Sequence, residues 1–179
     1  MRSVFFIILF ILFFGGKIFA QIPVDTVFKY SRLDTSYVYD NNKITLIPTT
    51  NIKMQVPESF NIVPEIPGLV NPITATSYEF KEYVGTSYIM LDEAMKKQNF
   101  EAQGVKLLEK QDFITNTGIT GLLYRFEIYI DGVRYERIML LAGDYHNTMW
   151  INVNFLYDFK SVVETLILKS LKTLTFNTI

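Results

Sequence analysis

GLLYRFEIYIDGVRYERIMLLA, residues 121–142, decides the fold. Two runs of alternating polarity flank Asp131-Gly132, and a two-residue Asp-Gly loop with both residues at φ > 0 matches the right-handed twist of paired strands. The stretch therefore predicts a long β-hairpin. With Asp131 and Gly132 as the loop, Ile130 faces Val133, and the pairs run outward as Tyr129 with Arg134, Ile128 with Tyr135, Glu127 with Glu136, Phe126 with Arg137 and Arg125 with Ile138. Side chains alternate between sheet faces. One face then carries Tyr124, Phe126, Ile128, Ile130, Val133, Tyr135, Arg137 and Met139, and is expected to be the buried one. The other carries Arg125, Glu127, Tyr129, Arg134 and Glu136, expected wet near the turn and covered toward Leu123, Ile138 and Leu140. Two positions strain this picture. Glu127 opposes Glu136, with Arg125 and Arg134 on the diagonals to compensate. Arg137 falls on the apolar face, where a guanidinium either snorkels along its own stem or anchors a pocket.

Upstream of this core, Met1-Arg2 precede an apolar run, VFFIILFILFF, at residues 4–14. A charged start and a short apolar core read as a secretory signal over residues 1–20, cleaved after Ala20 to leave Gln21; uncleaved, the segment would be an anchor. No cysteine follows, so a lipoprotein anchor has no thiol to acylate, and export without disulfides demands stability from the core alone. Without Arg2 and Lys17 the chain holds 15 basic and 18 acidic side chains, with no basic stripe for nucleic acid. Residues 21–42 are too rich in Val, Phe and Tyr for a free linker and are expected to dock in part on the body. Residues 43–179 have the length of one domain.

Along that domain, short strands are expected at 43–47 and 51–56. A proline-broken apolar loop over 57–74 should pack on the body without regular structure. A strand follows at 76–84, then a helix capped by Thr86 or Ser87 and running to about Gln103 before Gly104. Leu91 and Met95 fall on its inner face, and Asp92, Lys96 and Lys97 on its outer one. Further strands are expected at 105–114 and 148–155, and a last helix capped by Asp158 over 159–171, with Val163, Ile167 and Ser170 inward. This order predicts an α/β/α sandwich with a central, mainly antiparallel sheet and two principal helices.

Several strings in order extend that reading: Ile47-Pro48 before IKMQVPESF (52–60), GLVNPITATSYEF (68–80), Gln103-Gly104, GITGLLYRF (118–126), Arg137 through Gly143-Asp144, and Ser170-Leu171 with Thr173. Together, over residues 43–175, they resemble the PsbP-like superfamily, which includes the extrinsic lumenal subunit of photosystem II, a nuclear Ran-release factor and bacterial exported proteins. The resemblance implies the same sandwich, and binding or accessory roles more than chemistry. It departs after Phe155, where a common proline is lacking and the chain reads Tyr157-Asp158-Phe159.

No catalytic, cofactor or metal residue is assigned. His146 is the only histidine and sits in a turn with Asp144, too few ligands to close a metal site. Glu127 and Glu136 read first as a charge-balanced sheet face and only second as a carboxylate pair. No glycine-rich phosphate loop appears. The expected function is an exported, periplasmic or extracellular, non-enzymatic binding or accessory domain with an unknown protein partner. Its candidate binding surface is Arg137, Tyr145, His146 and Trp150. The alternatives are a small-ligand carrier with a pocket near Arg137 and, third, a hydrolase using Glu127, Glu136 or His146.

Overall fold

The computed structural model describes residues 44–57, 60–63 and 68–177. In chain order these form β1 (Ile44–Leu46), β2 (Ile52–Gln55), β3 (Asn61–Val63), β4 (Gly68–Asn71), β5 (Thr76–Val84), α1 (Tyr88–Lys96), β6 (Val105–Ile114), β7 (Thr120–Ile130), β8 (Val133–Gly143), β9 (Asn147–Leu156), α2 (Lys160–Lys172) and β10 (Thr175–Phe176). The predicted signal over 1–20 and the extension over 21–42 lie outside the described residues.

The β7–β8 hairpin closes through Asp131 (φ 50°) and Gly132 (φ 79°), the left-handed pair that a two-residue turn requires. All six predicted pairs form, Glu127 opposite Glu136 and Phe126 opposite Arg137 among them. The hairpin sits in a seven-stranded antiparallel sheet of order β3-β4-β5-β9-β8-β7-β6, and a second sheet of order β1-β2-β10 closes part of one face.

Neighbouring residues of β7 show where the helices go. Tyr124 donates its hydroxyl hydrogen to Asp92 of α1, and Arg125 pairs with Glu164 of α2. Consecutive side chains on a strand point to opposite faces, so the two helices cover opposite faces and the α/β/α sandwich stands. The main core lies on the α2 side. There Leu123, Ile138, Leu140, Ile151, Val153 and Phe155 meet Val163, Ile167 and Leu171, with Ile52 and Met54 of the small sheet.

Six expectations need correction, the first being that Asp92, placed on the outer face of its helix, is buried with its carboxylate held by Lys110 and Tyr124. The hairpin face read as wet near the turn is the α2 side, and Glu136 is only 1% exposed there, because Lys160 and Arg125 close over its carboxylate. On the opposite face, toward the turn, Ile128 and Ile130 are half-buried and Val133 is exposed, since α1 lies farther down. The 57–74 stretch contains β3 and β4, whose pairing on β5 supplies the order that prolines deny locally. Helix α1 ends at Lys96 rather than near 103. Asn99 accepts from the Ala102 N–H and opens a 3-10 turn, Glu101–Gln103, that brings Phe100 to 5.2 Å from Phe126. Lastly, Asp158 does not cap α2; the chain enters that helix through a 3-10 turn, Tyr157–Phe159. The Ser87 cap holds, its Oγ accepting from Met90 N–H, and Gly104 adopts the left-handed conformation at φ 71°.

Candidate functional site

Where the chain places the four candidate residues depends on strand register. On the α1 side of the sheet, Arg137 of β8 lies beside Asn154 of β9, which lies beside Ser77 of β5. Two residues along, Met139, Asn152 and Glu79 make the next row. These rows bury a polar patch. Arg137 is buried and donates Nε–H to Asn154 Oδ1 at 2.6 Å. Burial pushes its guanidinium below the usual range, and the charge of Glu79 opposes that shift. Burial likewise raises the Glu79 carboxyl above its ordinary value, against the pull of Arg137 and a hydrogen bond from Asn152. Tyr83, farther along the same strand face, is pushed up to about 12 by burial and by Glu79. Asn152 Oδ1 is buried with no hydrogen-bond partner among the described residues.

Trp150 shares this face but lies four residues along β9 from Asn154, paired with Leu141 and Lys81, and is buried. That separation is about 13 Å along a strand. Tyr145 and His146 sit beyond the end of β8, in the turn to β9, where both are exposed. Asp144 Oδ1 accepts from the backbone N–H of His146 and of Asn147, each at 2.7 Å, which holds its carboxyl below the usual range. The His146 carbonyl accepts from Gly85 and Thr86 N–H, tying this turn to the one that ends β5. The four residues thus fall into a buried patch at Arg137, a covered Trp150 and an exposed turn.

That turn borders a cleft of about 410 Å³ lined by Ser87, Tyr88, Ile89, Thr117–Thr120, Gly143, Asp144, Tyr145 and Phe176. A second hollow of about 330 Å³, lined by Asn51, Glu82, Val84, Asn147, Phe176 and Asn177, shares the Phe176 wall. Around them apolar side chains face solvent: Tyr145 at 80% exposure, Val84 at 82%, and Ile89 and Met90 on the first turn of α1. Arg137 lines neither hollow. Sequence reading found Tyr145 in this region but missed Val84, Ile89 and Phe176. Exposure of an apolar residue at the last position of a strand or the first turn of a helix leaves no trace in periodicity.

The opposed glutamates have structural partners. Glu127 pairs with Arg134 at 2.5 Å, and the Arg134 guanidinium stacks 3.5 Å above the Tyr157 ring. Glu136 pairs with Lys160 at 2.7 Å and Arg125 at 3.4 Å, and Arg125 also meets Glu109 and Glu164. This network joins β6, β7 and β8 to α2, and neither glutamate lines either hollow.

Comparison with solved structures places the fold. LpqN of Mycobacterium tuberculosis, described as involved in cell envelope biogenesis, superposes with a TM-score of 0.54 at 10% identity, over 79% of this chain and 89% of its own. The cyanobacterial PsbP of Synechocystis gives 0.53 at 10% identity over 75% and 91%. The yeast Ran-binding protein Mog1p gives 0.52 at 13% identity over 76% and 96%. A Bacteroides thetaiotaomicron protein is matched over only 46% of its own length. The chain has the PsbP-like/Mog1 fold. No family model matches its sequence, and no curated protein sequence does.

Proposed function

We propose that this chain is an exported, non-enzymatic accessory domain that grips a protein partner with the loop end of its large sheet. The observation that carries this reading is a group of exposed apolar side chains at two hollows that share the Phe176 wall, Ile89 and Tyr145 lining one and Val84 the other, with Met90 exposed beside Ile89. Exposed apolar surface beside a concavity is the usual mark of a recognition site. The backbone bonds from Gly85 and Thr86 to His146 brace two of the contributing turns against each other, so a partner meets a rim that is already ordered. Two proteins of the same fold are described by envelope biogenesis and by Ran binding. Export rests on the 1–20 segment, and an intact mass beginning at Gln21 is expected for protein recovered from cells.

The test is affinity capture from the cell envelope with the wild-type chain and a Val84→Ser/Tyr145→Ser variant. A partner held by the wild type should be lost from the variant. Equal recovery by both, or repeated recovery of nothing by the wild type, sinks the reading.

A small-ligand carrier is the second reading, favoured by the buried Asn152 Oδ1 beside Arg137 and Glu79. Native mass spectrometry of protein purified from cells should then show an added small mass that disappears in Arg137→Met. An unliganded wild-type mass would remove it.

A further inference from the structure

Among the described residues, strand β6 is an edge of the large sheet. Residues 106–112 are exposed on both faces, so the strand presents an open row of backbone groups as well as the side chains Leu107, Leu108 and Ile114. Natural edges are usually blunted. Here a register shift between Leu107 and Glu109 kinks the N-terminal half, and Lys172 Nζ donates to the Ile114 carbonyl at 2.5 Å, stopping the C-terminal end. Between these devices runs a straight segment, Glu109-Lys110-Gln111-Asp112-Phe113.

We propose that two copies of this chain join edge to edge through that segment, antiparallel, about a two-fold axis at Gln111. The choice of occupant comes from charge and face. An antiparallel pair within one sheet is related by an axis perpendicular to it, so every facing pair points to the same side and the axis must pass through a residue, not between two. Centred on Glu109, Lys110 or Asp112, the axis would place a charge against its own copy, which disfavours those registers. Centred on Gln111, it sets an amide against an amide. Lys110, whose Nζ already meets Asp92 Oδ1 at 2.6 Å, then also faces Asp112 of the second copy on the α1 side of the sheet, twice by symmetry, and the exposed Ile114 lies on that same side. Glu109 faces Phe113. Centred on Phe113, the pairing would run past Ile114, whose carbonyl Lys172 already takes, which leaves Gln111 as the centre.

Five paired residues per strand bury far less than the roughly 1,600 Å² of a standard stable interface, so the pairing belongs to concentrated protein and needs a trapping readout. The chain contains no cysteine, which supplies one. Facing residues across antiparallel strands have Cα atoms about 4.5–5.5 Å apart, within disulfide reach. Gln111→Cys in the full chain should oxidise to a covalent dimer at a rate that rises with protein concentration. Glu109→Cys, displaced from its own copy by four residues, should cross-link at least tenfold more slowly. Adding Asp112→Lys to Gln111→Cys should slow the dimer several-fold, since each Lys110 then meets a lysine. All three positions are exposed, so these changes leave the core intact. Equal rates for Gln111→Cys and Glu109→Cys overturn the proposal. Trapping of Gln111→Cys in a mixed disulfide with a different protein also overturns self-pairing and gives the edge to a foreign strand.

Discussion

At the residue scale, Arg137 shows how a charge is kept inside a sheet. It faces Phe126 across the strand pair, its Nε–H is taken by Asn154, and Glu79 supplies a balancing charge on the next row. Removing one member of such a set should cost more than removing both charges. Arg137→Met is expected to lose about 1–3 kcal/mol at pH 7, as a buried polar group loses its partner, and Arg137→Met/Glu79→Gln should recover most of that. The pH dependence follows from Glu79. Its folded value is raised above 4.5, so the native state binds the proton more tightly than the unfolded chain, and its contribution to stability falls as pH rises from 4.5 through the folded value. The penalty of Arg137→Met should therefore shrink when urea denaturation is repeated at lower pH, as Glu79 takes up its proton. A penalty unchanged with pH would mean that Glu79 and Arg137 do not balance each other. Asp92 is the opposite case. Desolvation pushes its carboxyl up, but hydrogen bonds from Lys110, Tyr124 and Lys96 outweigh that and hold it below the usual range.

At the element scale, β7 contains a point of close strand approach at Gly121. A Cβ on Gly121 would stand 2.7 Å from Ala142 Cα and nearer still to the Leu141 carbonyl oxygen, while Phe113 occupies the neighbouring position on β6. Gly121→Ala should cost about 1–3 kcal/mol through overpacking, read as a lower denaturation midpoint at unchanged m-value. A midpoint equal to wild type would mean that the strands can separate freely there. How far such elements could be read from sequence depended on where their cause lies. The hairpin register was legible because its turn and its alternation are both local. The strands at 76–84 and 105–114, the Ser87 cap and the two helices were legible for the same reason. What stayed hidden is non-local. Asp92 looks like a wet helix residue until Lys110 and Tyr124, 18 and 32 positions away, close on it. Glu136 looks solvated until Lys160 arrives from α2. Helix propensity continues past Lys96, and contact between Phe100 and Phe126 overrides it. The α/β/α arrangement was anticipated, whereas the cleft, assembled from four separate stretches of chain, was not.

At the scale of the whole molecule, β10 links the fold to the proposed recognition surface. Phe176 pairs with Ile52 of β2, Asn177 N–H donates to the Asn51 carbonyl at 2.6 Å, and Phe176 is the shared wall of both hollows. Deleting residues 175–179 should lower stability by about 1–3 kcal/mol, the range of a lost packed element end, and should weaken partner capture beyond what the lost stability explains. Full capture by the truncated chain would place recognition elsewhere. The order of the large sheet carries one more consequence. β5 pairs with β9 over eight residues, from Ser77–Asn154 to Val84–Asn147, and all of α1, β6, β7 and β8 lie between them in the chain. The β6–β9 meander can grow by successive short-range steps, but the seam against β5 must wait for the closure of a long loop, whose entropy is spent before any pairing repays it. Refolding is therefore expected on the millisecond-to-second scale typical of non-local sheets, with the hairpin around Asp131-Gly132 formed first and the β5–β9 seam zipped last.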